Sequence, residues 1–174
     1  MLTRLGFGEA WQQQSVGNVD AFVSLFKQRV MDIDAQDWHG LVQDYGNLRT
    51  YRTLKSELSL EWYLTIGFSK KVINWLARLR GGLLHIKMNE GRWANVAREN
   101  RICPACNTGE IEDEVHFIFH CRAWSTLRLG LKSFYVFRFE DLSLLFTTKN
   151  KPLLLRLYKF IRNAIHERES VVRL

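Results

Sequence analysis

Apolar positions along the chain recur at the three-to-four-residue spacing of helices buried on one face. Phe22, Leu25, Phe26 and Val30 keep this spacing behind Asp20, a residue type that caps helix N-termini. Trp38, Leu41, Val42 and Tyr45 repeat it behind Asp34 or Asp37, and Gly46-Asn47 ends this second, short helix. Tyr51, Leu54 and Leu58 predict a third. Val72, Ile73, Leu76 and Leu79 form the most regular stripe, begun by Ser69 and stopped by Gly81-Gly82. From Leu83 to Arg101 the pattern loosens and predicts a loop with a short helical turn near Gly91-Arg92-Trp93. Asp113 can cap a helix running through Phe117 and Trp124 to about Lys132. Phe134 to Phe139 alternate loosely, as a short strand or extended linker would. Pro152 suits the first turn of a last helix with the stripe Leu154, Leu157, Tyr158, Ile161, Ala164 and Ile165.

These elements predict an all-α fold with little or no β-structure. The candidate boundaries are short, so the expectation is a single helical domain over residues 1–174. Hydrophobic residues make up 47% of the chain and charged residues 25%, ordinary globular composition that argues against disorder. No run approaches the roughly 18–20 apolar residues of a membrane span. The start, Met1-Leu2-Thr3-Arg4-Leu5-Gly6, lacks the basic-then-apolar run of a secretory signal. Three unequally spaced cysteines are a poor disulfide framework and point to a reducing compartment.

Charge changes the picture more. The net charge is +7, but residues 49–101 carry eleven basic against four acidic side chains, and residues 122–174 carry the same numbers. Between these blocks, residues 102–121 hold four acidic groups and no lysine or arginine. Two basic blocks therefore flank a short acidic one, a distribution compatible with nucleic acid. The candidate contacts lie in the first block: Lys70, Lys71, Arg78, Arg80, Lys87, Arg92, Arg98 and Arg101. Arg78 and Arg80 share a helix with Trp75, and Arg92 adjoins Trp93; a single-stranded groove uses such charges for phosphates and such rings for stacking. Arg156, Lys159 and Arg162 read instead as the solvated face of the last helix.

The acidic segment carries the most specific chemistry. Cys103-Pro104-Ala105-Cys106 is followed by His116, His120 and Cys121. Two cysteines two residues apart turn both sulfurs inward over a tight knuckle, and Asn107-Thr108-Gly109 turns the chain back toward His116. The pattern C-x2-C-x9-H-x4-C suits one tetrahedral zinc ion. Four protein ligands leave no position for water, so such a site is structural. Cys103, Cys106 and His116 are joined by Cys121, provided the helix loosens between His116 and Cys121, or by His120, four residues along the same helical face. The Glu112-Asp113-Glu114 run complements a helix N-terminus and offers an acceptor for the ligand imidazole. The zinc-binding segment is bounded at residues 101–124. A zinc hydrolase or deaminase would need an open position and a base, Glu114 being nearest, but neither H-E-x-x-H nor the deaminase order of H-x-E with P-C-x-x-C occurs.

Gly91-Arg92-Trp93, Glu99-Asn100-Arg101-Ile102-Cys103-Pro104-Ala105-Cys106 and Ile111-Glu112-Asp113-Glu114-Val115-His116-Phe117-Ile118-Phe119-His120-Cys121 together resemble the zinc-binding segment C-terminal to reverse transcriptases of LINE-type retrotransposons. Trp124 and Arg128 stand where that family has an aromatic and an arginine after its last cysteine. Weaker similarity extends to Leu76–Ile86, to the Trp38 region and to Phe160–Ala164. The resemblance implies that Cys103, Cys106, His116 and Cys121 hold one structural Zn2+, with no requirement for His120. It also implies contact with element RNA or target DNA. The chain has no Tyr-x-Asp-Asp motif for polymerase metals, so the expectation is a detached C-terminal module, a fragment of a longer frame or a relic, without catalytic activity. A competing expectation is a docking module that packs against a parent polymerase through Trp11, Phe134 and Phe137.

Overall fold

A computed structural model of the chain describes residues 2–172 and is all-α, as the spacing predicts. Among these residues there is no sheet; one isolated antiparallel bridge joins Ile102 and Ile111. The chain divides into two compact units, Met1–Gly46 and Asn47–Leu174.

The first unit holds α1 (Gly8–Gln13) and α2 (Val19–Asp44). The two short helices expected between Asp20 and Tyr45 are one continuous α2. No proline intervenes, and Asp34 and Asp37 are tolerated on its surface. Its cap is Asn18, whose side chain accepts a hydrogen bond from the Ala21 amide at 2.9 Å, while Asp20 sits in the first turn. Phe7, Phe22 and Phe26 pack ring against ring with centroids 5.1–6.0 Å apart, and Arg4 pairs with Asp37.

The second unit contains α3 (Arg49–Leu54), α4 (Trp62–Thr65), α5 (Lys70–Arg80), α6 (Lys87–Trp93), α7 (Ser125–Lys132), α8 (Leu142–Thr147) and α9 (Lys151–Val172). α9 is its axis. Leu153, Leu154, Leu157, Phe160, Ile161, Ala164 and Ile165 are buried along one stripe, and the helix packs on α5, α7 and α8. Val72, Leu76 and Leu79 supply the matching face of α5. Burying each such aliphatic side chain contributes about 1.5–3 kcal/mol.

Gly81-Gly82 stops α5 as expected. Gly82 is left-handed at φ +65°, its amide reaches the Leu79 carbonyl at 3.1 Å, and the Leu83 amide reaches that of Arg78 at 2.7 Å. The third predicted helix ends at Leu54, and Leu58 is exposed. The segment after Leu83 is more regular than its pattern suggests, because α6 is a full seven residues. Tyr135–Arg138 is a 3-10 helix, not a strand: Phe137 packs on Phe119 at 5.1 Å, so this segment closes over the core locally and pairs with no other strand.

Candidate metal centre

Two pieces of chain build the centre. The first is a knuckle. The Cys103 amide bonds the Glu110 carbonyl and the Glu112 amide bonds the Arg101 carbonyl, each at 2.9 Å, so the Ile102–Ile111 bridge closes the loop that carries Cys103 and Cys106. The turn lies where Asn107-Thr108-Gly109 predicts it, with Asn107 left-handed at φ 53°.

The second piece begins at Asp113, which caps as expected: its Oδ1 accepts from the amides of Val115 and His116 at 3.1 and 3.0 Å. The continuous helix expected from there to Lys132 does not form. His116–His120 is a π-helical turn, followed by the 3-10 turn Arg122–Trp124 and then α7. In an α-helix, residues five apart point about 140° away from each other. The π turn removes that mismatch: the Cys121 amide bonds the His116 carbonyl at 2.7 Å, and both side chains face the knuckle.

The ligand atoms of Cys103, Cys106, His116 and Cys121 all lie within 4.8 Å of one another, and this group can hold one metal ion. The Sγ atoms of Cys103 and Cys121 are 3.8 Å apart, and Cys106 Sγ is 3.5 Å from His116 Nε2. His120 takes no part. It is exposed, with Nε2 3.6 Å from Glu140 Oε2, which removes it as an alternative fourth ligand. The imidazole partner expected from Glu112-Asp113-Glu114 is instead Glu110. Its Oε2 lies 2.6 Å from His116 Nδ1, off the direction of an aligned hydrogen bond, and Nδ1 has no other partner among the described residues.

Buried charges brace this group. Arg128 donates to the carbonyls of Ile118 at 2.6 Å and Cys121 at 2.7 Å, which fixes the chain where the π turn ends. Trp124 packs with its ring 6.1 Å from that of Phe117. Glu112, fully buried, receives both arms of Arg168 at 2.7 and 2.8 Å and the Lys87 amide at 2.6 Å. Its Oε1 is 3.9 Å from Cys103 Sγ, so Arg168 offsets a carboxylate that would otherwise crowd the thiols with negative charge. Arg168 also reaches Glu90 at 2.8 Å. Glu114 accepts from Arg49 at 2.8 Å. Nothing in local spacing links Arg168 to the knuckle; only the periodicity of α9, which places it on the buried stripe, hints at it.

Without a cation, Cys103 and His116 hold their protons more tightly than free groups do. A hydrogen bond with Cys121, reinforced by burial, pushes the Cys103 thiol up to about 12. Burial works against a charged His116, but hydrogen bonds and charge from Cys103 and Cys106 outweigh it and raise its pKa to about 9. Cys121 is lowered, first by the hydrogen bond from Cys103.

The basic residues expected to face nucleic acid divide. Arg80 is buried: it pairs with Glu61, donates to the Leu54 carbonyl at 3.0 Å and lies 5.3 Å from the Phe146 ring. Arg101 donates to the carbonyls of Met88 at 3.0 Å and Val96 at 2.9 Å. Arg80 is thereby committed to the core, whereas the half-buried Arg101 spends part of its guanidinium on these carbonyls. Lys70, Lys71 and Arg98 are exposed; Arg78, Lys87 and Arg92 are half-buried. Phe134 and Phe137, expected on a docking surface, pack against the core, whereas Trp11 is exposed. Arg156, Lys159 and Arg162 face solvent as expected.

Fold and site define a helical protein with one Cys3His group able to hold a metal ion. Among known proteins, no family model, no curated protein and no solved structure matches the chain.

Cys103→Ser, His116→Ala or Cys121→Ser is expected to abolish stoichiometric metal in purified protein, measured by elemental mass spectrometry, whereas His120→Ala retains it. Loss with His120→Ala and retention with Cys121→Ser would contradict the geometry. Binding must also displace the protons on Cys103 and His116. Between about pH 6 and 8 each contributes tenfold per pH unit, so affinity rises at least roughly a hundredfold per unit. A zinc affinity that is flat across this window, obtained by competition and corrected for the chelator's own protonation, would contradict that ligand set.

Proposed function

We propose that the chain is a non-enzymatic, zinc-stabilised module of the kind that follows the polymerase in LINE-type retrotransposon reverse transcriptases, and that it contacts nucleic acid. The observation that carries the zinc reading is the spacing of the donors. Zn–S bonds of about 2.3 Å and Zn–N bonds of about 2.0–2.1 Å place tetrahedral neighbours about 3.8 Å apart for two sulfurs and about 3.5 Å for sulfur and nitrogen. The Cys103–Cys121 and Cys106–His116 separations are 3.8 and 3.5 Å. Three thiolates and an imidazole are a zinc donor set.

Cys103, Cys106, His116 and Cys121 would hold the ion, and its contribution is a cross-link between the knuckle and the π turn. Four protein ligands fill a tetrahedral shell and leave no place for a substrate, which supports a structural role. Trp124 and Arg128 add to the resemblance, since both are committed to the segment that carries the last ligand.

Nucleic-acid contact is supported by the face of α5. Lys71, Trp75 and Arg78 follow one another at helical spacing, with the Arg78 guanidinium 5.6 Å from the Trp75 ring. A second reading, docking to a parent polymerase, is favoured by the exposed Trp11 and by Val19, Val23, Leu25, Met31 and Leu41 exposed on α2.

Zinc-loaded chain titrated with short single strands of RNA and DNA is expected to bind, with log affinity falling linearly as log salt rises. No binding to either at low salt would overturn the nucleic-acid reading and leave docking.

A further inference from the structure

α7 and α9 pack together, and a cavity of about 170 Å³ opens between them. Leu127, half-buried, and the buried Leu131 and Phe160 make its apolar floor. Small-molecule sites usually run to about 300–1,000 Å³, so a space of this size suits a single large side chain. Gly130, inside α7, also lines it. Glycine weakens a helix interior relative to alanine. Nothing among the described residues calls for it here: φ is not positive, and a Cβ would meet no atom within 4 Å. The missing side chain leaves the mouth of the cavity open to a close approach by another backbone.

The rest of the lining donates. Arg156 Nη1 donates to the Gly130 carbonyl at 3.0 Å, and its guanidinium lies 5.2 Å from the Phe134 ring, which together hold it at the cavity. Its other nitrogens, and the ammonium of the exposed Lys159, have no hydrogen-bond partner among the described residues. Asn163 Oδ1 accepts from Arg162 at 3.1 Å, which leaves the Asn163 amide nitrogen free to donate. Arg156, Lys159 and Asn163 follow one another along one face of α9. No carboxylate lines the cavity. Two cations and an amide therefore surround an apolar floor, with no anion of this chain to answer them.

We propose that the α7–α9 cavity docks an acidic amphipathic helix of a partner protein. One leucine-sized side chain of that helix enters the floor, and carboxylates a turn to either side meet Arg156 and Lys159. Two helical faces at this spacing take the ridge of a third helix between them, and Gly130 lets it come close. A nucleic acid would satisfy the cations but not the floor. Its backbone carries no apolar group to fill the space, and the ring in the lining, Phe160, is buried and closed to a base. None of the α5 residues in the nucleic-acid reading lines the cavity, so this is a second surface.

The probe is a fluorescein-labelled, alanine-based helical peptide with one leucine and glutamates three and four residues to either side of it. Titrated with zinc-loaded full-length chain at low salt, it is expected to bind, and to lose about tenfold or more in affinity when its leucine becomes alanine. The same peptide with lysines for glutamates is expected not to bind. Gly130→Leu fills the mouth and is expected to abolish peptide binding. Its zinc content stays unchanged and its thermal midpoint stays at or above that of wild type, because leucine is the better helix former. Lys159→Glu is expected to weaken the peptide about tenfold or more. If Gly130→Leu does not fold, Lys159→Glu decides, since that side chain is exposed and bonds no described residue. No binding by wild type, or binding that these substitutions leave unchanged, overturns the docking site. A single-stranded oligonucleotide that binds and is weakened by both substitutions, where the peptide does not bind, would assign the cavity to nucleic acid and overturn the helix.

Discussion

His116 and Cys121 stand five positions apart, and the rest of the centre depends on how the backbone spans that interval. An α-helix would turn the two side chains away from each other. The π turn brings them to one side, closed by the Cys121–His116 backbone bond at 2.7 Å. Arg128 then takes up the Ile118 and Cys121 carbonyls, acceptors that the interrupted helix leaves open. π turns are uncommon because their hydrogen bonding is less favourable than that of an α-helix, and they concentrate where geometry demands them. Here the demand is a fourth donor placed 3.8 Å from Cys103.

The knuckle is tied to the remainder of its unit by charge as well as packing. Glu112 and Arg168 are both buried, and Glu90 and Lys87 extend the group toward the surface. Removing one partner of such a pair typically costs about 3–5 kcal/mol, whereas replacing the whole group by apolar side chains is often neutral. The cluster therefore specifies position more than it adds stability: it fixes the register of α9 and the seat of α6 against the segment carrying Cys103. In the same unit, Arg80 with Glu61 does this for α3, α4 and α5, at the expense of a guanidinium that its sequence neighbours offered to solvent.

Local features are legible in the sequence. The Cys103–Cys106 pair, the turn at Asn107, the Asp113 cap, the α5 stripe with its Gly81-Gly82 stop, and the α9 stripe all express rules that act within a few residues. On spacing, Cys121 can be preferred over His120 only by supposing that the helix loosens, and the π turn His116–His120 is that loosening. What stays hidden is long-range. Arg168 meets Glu112 across 56 residues and Arg49 meets Glu114 across 65; the periodicity of α9 marks Arg168 as buried but names no partner for it, and nothing local marks Arg49. The aspartates that suggest a break within α2 also sit comfortably on a helix surface, so they do not divide it. Glu110 approaches His116 because the bridge at Ile111 fixes which carboxylates face the ring, which a run of acidic residues cannot reveal.

X-ray absorption at the zinc edge of the purified, zinc-loaded chain reads whether three thiolates and one imidazole close around a single ion. Three sulfur neighbours at about 2.3 Å and one nitrogen at about 2.0–2.1 Å are expected, with no further ligand. A shell of two sulfurs and two nitrogens, or one completed by a water oxygen, would rule out the Cys3His centre.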